Sequence, residues 1–112
     1  MEIREREAGP VTVLDVSGEM SLYHATTLKG AFARLEQNRR LDTVLNLDGV
    51  NYLDSSGIGV LIAHLTRCRK EGGSLKLCHL QPNVSTLLKL TKLNNLFEIY
   101  ETEDEALASY QN

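Results

Sequence analysis

The chain reads as an α/β protein with a mixed, mostly parallel sheet of about five strands and about four helices packed against it. Three observations predict this. Short β-rich runs bounded by turn residues alternate with stripes of apolar residues at helical spacing, an order that parallel sheets with crossover helices produce. At 112 residues, with 42% hydrophobic and 24% charged content, the chain can close one core, so a single domain over residues 1–112 is expected. Neither a repeat nor a low-complexity tract interrupts it.

Glu2-Ile3-Arg4-Glu5-Arg6 reads as a polar edge strand. Val11 to Val16 reads as a second strand ending at Ser17-Gly18, and Thr43 to Leu47 as a third ending at Asp48-Gly49. Ser74 to Cys78 starts after the Gly72-Gly73 break, and Phe97 to Tyr100 is a short last strand. Each run has strand-forming residues between turn formers. Leu22, Ala25, Leu28, Phe32 and Leu35 recur at intervals of three and four, as do Ile58, Leu61, Ile62, Leu65 and Cys68. Both patterns place one apolar stripe on a helix. Val84, Leu87, Leu88 and Thr91 make a third stripe, with Pro82 and Asn83 as helix starters. The fourth helix begins at Thr102, where Glu105 completes a capping box and acids fill the first turn.

Composition excludes several functions. A net charge of −3 leaves no basic footprint for nucleic acid or an anionic membrane. No run approaches the roughly 20 apolar residues of a membrane span, and the charged start lacks a signal peptide's apolar core. A cytoplasmic location follows, where thiols stay reduced. Cys68 and Cys78 then read as small buried apolar residues. No metal or other cofactor is expected, because His24, His64 and His79 show no ligand spacing with them.

The chemistry concentrates in Leu53-Asp54-Ser55-Ser56-Gly57-Ile58-Gly59. Asp54 is placed to cap the second helix by accepting hydrogen bonds from the next turn's N–H groups. Gly57 and Gly59 lower helix propensity and let other backbone or a partner come close. On a wheel of about 100° per residue, Ser55 sits roughly 70° from the centre of the Ile58-Leu61-Ile62-Leu65 stripe and Ser56 roughly 170° away. Ser55 should therefore lean toward the core rim, with Ser56 facing out beside Val60 and Ala63. A nucleophilic serine would need a base and an oxyanion hole, and position 54 is Asp where the G-x-S-x-G elbow has Gly. Gly57-Ile58-Gly59 lacks the third glycine of a dinucleotide loop and lies inside the helix. A phosphorylated Ser56 would carry about −1.5 to −2 charge beside Asp54. The spacing alone leaves open whether the serines receive phosphate or simply start a helix.

The stretch Asn46-Leu47-Asp48-Gly49-Val50-Asn51-Tyr52-Leu53-Asp54-Ser55-Ser56-Gly57-Ile58-Gly59-Val60-Leu61 resembles the signature of STAS-domain anti-sigma factor antagonists. The likeness extends to Gly18-Glu19-Met20, to Leu22-Tyr23, and through the leucine-rich third helix to Tyr100, so it spans essentially the whole chain. It implies the STAS fold and a bacterial, non-enzymatic regulator that binds an anti-sigma factor serine kinase and so frees a sigma factor. It also implies that phosphorylation of Ser56 ends binding and that a serine phosphatase resets the protein. Ser21, Tyr23, His24, Asn46, Asp54, Ser55, Gly57, Gly59, Val60 and Ala63 are the implied partner-binding neighbours.

Two positions depart from the family pattern. Ser21 stands where an acid is common, and Asn46 replaces the acid of an Asp-Leu pair. If both border the acceptor, the site has lost negative charge; the preferred reading of Ser21 is a helix N-cap. The family also includes the tails of anion transporters, stressosome-like scaffolds, and accessory subunits on the ATPase of lipid-transport ABC systems. The ABC subunit, which needs no phosphorylation, is the alternative function.

Overall fold

The computed structural model describes residues 1–111; residue 112, the end of the expected domain, lies outside them. One five-stranded sheet runs in the order β1 (Glu2–Ala8), β2 (Val11–Met20), β3 (Asp42–Leu53), β4 (Ser74–Cys78) and β5 (Glu98–Tyr100). β1 is antiparallel to β2, and the remaining pairs are parallel. The helices are α1 (Ala25–Gln37), α2 (Ser55–Lys70), α3 (Pro82–Leu90) and α4 (Glu103–Ala108). A 3-10 turn, Leu22–His24, precedes α1. The predicted mixed sheet and four helices are all present.

The strand order explains where the helices lie. From β2 to β5 the sheet grows one strand at a time in a single direction. Right-handed crossovers therefore put α1, α2 and α3 on the same face. Leu14, Val16, Leu45, Leu47, Leu75 and Leu77 supply that face and pack with Leu28, Phe32, Leu61, Leu65, Val84 and Leu88 in the main core. The opposite face, through Val11, Val13, Val44 and Cys78, is covered by Ala106 of α4. Burial on both sides is why β2 and β3 read as nearly continuous apolar runs. Cys68 and Cys78 are free and buried, and burial pushes both thiols up to about 12.

Strands β2 and β3 run beyond their expected ends. The turn-like stretches pair with each other, Ser17 with Gly49, Gly18 with Val50 and Met20 with Leu53, across two register shifts. These bulges absorb the irregular backbone. Gly18 takes φ +100, and a Cβ at Gly49 would meet the Ser17 side chain at 2.7 Å. The turn formers thus mark a bulge inside the pair, and β3 continues through Asn51 and Tyr52 to Leu53.

Polar contacts fasten α4 to the second face. Arg6 pairs with Asp15 at 2.6 Å and also with Glu103, and its guanidinium holds the Asp15 carboxyl below the usual range. The Tyr110 hydroxyl accepts from Thr43 N at 3.2 Å and lies 2.7 Å from Thr43 O and 2.9 Å from Ser74 O. Its one proton is shared between those two carbonyls. Tyr110→Phe should lower stability by about 1–3 kcal/mol, the effect of leaving buried backbone groups unpaired. Chemical denaturation checks it, with the midpoint falling and the slope unchanged.

Candidate functional site

The site is built where β3 turns into α2. Asp54 has extended backbone, and its carboxylate accepts from Ser56 N at 3.0 Å and Gly57 N at 3.2 Å, as a helix N-cap should. The same carboxylate accepts from Leu22 N at 3.2 Å, and Asp54 N donates to Met20 O. One side chain therefore starts α2 and ties it to the turn before α1. Such a cap is worth about 1 kcal/mol. Gly57 completes the joint, since a Cβ there would lie 2.4 Å from Met20 O.

Ser56 is the second residue of α2 and opens on a groove of about 740 Å³ between α1 and α2. Ser55, Gly59, Val60, Ala63 and Arg67 form one wall, while Ala25, Lys29, Phe32, Ala33 and Glu36 form the other, with Leu22 at one end. Leu22 is 68% exposed and Tyr23 90% exposed, so the rim presents apolar surface to solvent beside the serine. His24 is half-buried in the same turn.

The wheel reading needs correction. Ser55 is exposed, Ser56 is half-buried, and Val60 is buried. The buried face of α2 comprises Gly57, Val60, Leu61, His64, Leu65 and Cys68, with Ile58 and Ile62 only half-buried. Recentred on those six positions, Ser56 lies roughly 110° and Ser55 roughly 150° from the middle. The stripe is rotated because α2 packs against α1 as well as the sheet, and the α1 contact uses His64, which carries no apolar signal. Val60 and Ala63 thus face the groove rather than open solvent. Leu22 departs in the same way, since the 3-10 turn puts it out of phase with α1.

Two further expectations change. Ser21 occupies the cap position of the 3-10 turn, but its hydroxyl makes no cap hydrogen bond; Oγ is buried without a partner, and Asp54 does the capping. Asn46 does not border Ser56. It lies on the α4 side of the sheet, donating to Asp15 Oδ1 at 2.8 Å and accepting from Asp48 N at 3.1 Å. Its replacement of an acid affects the Arg6–Asp15–Glu103 network, not the electrostatics of the groove.

The groove floor holds a polar cluster the sequence did not disclose. His64 is fully buried and stacks on Phe32 with ring centroids 4.0 Å apart. Its Nδ1 lies 2.6 Å from Glu36 Oε2, so Nδ1–H donates to that carboxylate. Nε2 faces the Thr43 hydroxyl at 3.2 Å and the Cys68 thiol at 3.4 Å, either of which can donate to it. Burial lowers the His64 pKa, outweighing the opposing pull of Glu36, which keeps the ring neutral at neutral pH. The cluster joins α1, α2 and β3 and fixes the groove's width. Spacing could not find it, because Glu36, Thr43 and His64 come from three separate elements.

The exposed apolar rim beside a half-buried serine suits a protein-contact surface. Among the described residues there is no group of three or more His, Cys, Asp or Glu side chains able to hold a metal. Nor is any helix long and apolar enough to cross a membrane.

The chain belongs to the STAS domain family, whose sequence model matches residues 2–106. It is 28% identical over 102 residues to an anti-sigma F factor antagonist from Paenibacillus polymyxa, covering 90% of this chain and 87% of that one. It is 31% identical over 86 residues to an anti-sigma-B factor antagonist from Bacillus subtilis, covering 77% and 78%. A crystal structure of an anti-sigma factor antagonist from Mycobacterium paratuberculosis superposes with a TM-score of 0.89 at 27% identity, over 99% of this chain and 94% of that one.

A depressed histidine pKa makes stability depend on pH with a definite sign. The folded protein prefers neutral His64, so its contribution is fully present above the unfolded value near 6.5 and is lost as pH falls from there through the lower folded value. Unfolding free energy should therefore drop between pH 7 and pH 5 in urea titrations. In His64→Gln that part of the slope disappears.

Proposed function

We propose that this protein is an anti-sigma factor antagonist that binds an anti-sigma factor serine kinase and is switched off by phosphorylation of Ser56. The observation that carries the reading is Ser56 itself, in the capped first turn of α2 on the wall of the α1–α2 groove. The chain acts by binding rather than catalysis, in the cytoplasm, as one STAS domain over residues 1–112. The family match and the names of the relatives support this reading over an ABC-transporter subunit.

Local electrostatics describe how a phosphate would act. Helix N-terminal amides ordinarily welcome an anion, but here Ser56 N and Gly57 N already donate to Asp54. A phosphate on Ser56 finds those amides taken and a carboxylate close by. Its charge is left to face the groove, where a bound partner must desolvate or oppose it. Like charges across an interface cost several kcal/mol, and each 1.4 kcal/mol is tenfold in affinity. The unmodified serine lets the partner close over Leu22, Tyr23 and the groove. A serine phosphatase acting on the modified form restores that state.

Incubation with each anti-sigma factor kinase of the source genome and ATP tests the acceptor by mass spectrometry. One phosphate on Ser56, absent from Ser56→Ala, is expected. Phosphate persisting on another residue of Ser56→Ala, or a kinase that binds tightly and never modifies the wild type, contradicts the assignment.

A further inference from the structure

The polar cluster under the groove is organised around a ring that is poorly placed to take a second proton. His64 is fully buried and stacks on Phe32 of α1 at 4.0 Å, with 3° between the ring planes. Its Nδ1 lies 2.6 Å from Glu36 Oε2. Its Nε2 faces the Thr43 hydroxyl of β3 at 3.2 Å and the Cys68 thiol of α2 at 3.4 Å. A proton on Nε2 turns that nitrogen from acceptor to donor; Thr43 can rotate to accept, but a thiol sulfur accepts only weakly. Nor does the Glu36 carboxylate belong to the ring alone, because Arg67 Nη1 lies 3.8 Å from its other oxygen. Desolvation is the strongest force against charge on His64, and Arg67 adds to it. Asp42 of β3 acts on the Cys68 thiol, and Lys29 of α1 lines the same groove.

We propose that a second proton on His64 opens the α1–α2 groove, so that the packing of these two helices is a proton-sensitive switch. A buried imidazolium gains by reaching water. Inward of the ring lie Thr43 and the main core. The way out runs past Glu36, whose side chain is 19% exposed, into the groove that Phe32, Glu36, His64 and Arg67 line. The ring cannot take that path without leaving Phe32 and the Thr43 hydroxyl, the contacts that tie α2 to α1 and β3. The two states are therefore a closed groove over a neutral ring and a wider one around a charged, hydrated ring. Each unit by which the ring's proton affinity is higher in the open state tilts the balance about tenfold toward opening in acid.

Asp54 and Gly57 fasten the other end of the groove to Met20 and Leu22. α2 therefore parts from α1 at its Arg67 end and keeps its first turn. The opening is a property of the chain alone, and only its consequence for a partner rests on the function proposed above. On that function, the anti-sigma factor meets an intact surface at neutral pH and a distorted one in mild acid, whether or not Ser56 carries phosphate.

Heteronuclear NMR of the isolated protein from about pH 8 to about pH 5 tests the switch. The His64 ring signals and the amides of Phe32, Ala33, Ala63 and Arg67 are expected to move together with one midpoint, while the amides of Ser56 and Gly57 move little. In His64→Gln, whose side chain can still donate to Glu36 and accept from Thr43, that common transition disappears. His24 and His79 remain in this variant, so any change they cause is retained. Glu36→Gln removes the carboxylate that favours the charged ring and should shift the common midpoint to lower pH by about one unit or more; it decides the case even where His64→Gln does not fold. A His64 ring that stays neutral throughout, or that titrates without the groove amides following, overturns the inference, as does an unchanged groove transition in His64→Gln. An anti-sigma factor kinase that binds wild type should do so about tenfold more weakly at about pH 5.5 than at about pH 7.5, with the difference lost in His64→Gln. If no such kinase binds at either pH, the proposed function falls while the groove transition is still decided by NMR.

Discussion

The structure turns on the joint between the end of β2 and the start of α2. Met20 O accepts from Asp54 N, Gly57 packs so closely on that carbonyl that a Cβ would lie 2.4 Å away, and the Asp54 carboxylate reaches both Ser56 N and Leu22 N. These contacts fix where α2 begins and where the turn before α1 goes. The first turn of one helix and the approach to the other are therefore held as a unit. The groove that opens between them, with Ser56 on its wall, follows from that joint and from the buried Glu36–His64–Thr43 cluster beneath it.

This arrangement separates holding from presenting. Asp54 and Gly57 face inward and bear on the backbone, so substitutions there act on the fold before they act on a partner. Ser56, Gly59, Leu22 and Tyr23 do little for the isolated chain and lie where another molecule can touch them. Because Asp54 already occupies the first amides of α2, a phosphate on Ser56 gains little internal stabilisation. Under the proposed function its charge would be directed at whatever binds the groove, so that a single modification would act as a switch.

Much of the fold was legible in the sequence because the sheet is buried on both faces and its crossovers are regular. The alternating runs, the Thr102–Glu105 capping box and the Asp54 cap could each be read from local chemistry. The ends of β2 and β3 could not, since Ser17-Gly18 and Asp48-Gly49 look like turns and only their mutual pairing makes them a bulge. The orientation of α2 failed for a related reason. Its contact with α1 runs through His64, a residue that hydrophobic periodicity does not count, and this reversed the relative burial of Ser55 and Ser56. Asn46 was misplaced because proximity in sequence to the motif does not tell which face of a strand a side chain takes.

On the proposed function, a phosphate on Ser56 governs a binding surface built on the α1–α2 groove. Calorimetric titration of the anti-sigma factor with unmodified and homogeneously Ser56-phosphorylated protein tests it most directly. The unmodified protein should bind tightly and lose about a hundredfold or more in affinity on phosphorylation, which corresponds to roughly 3 kcal/mol. Equal affinity of the two forms would contradict it.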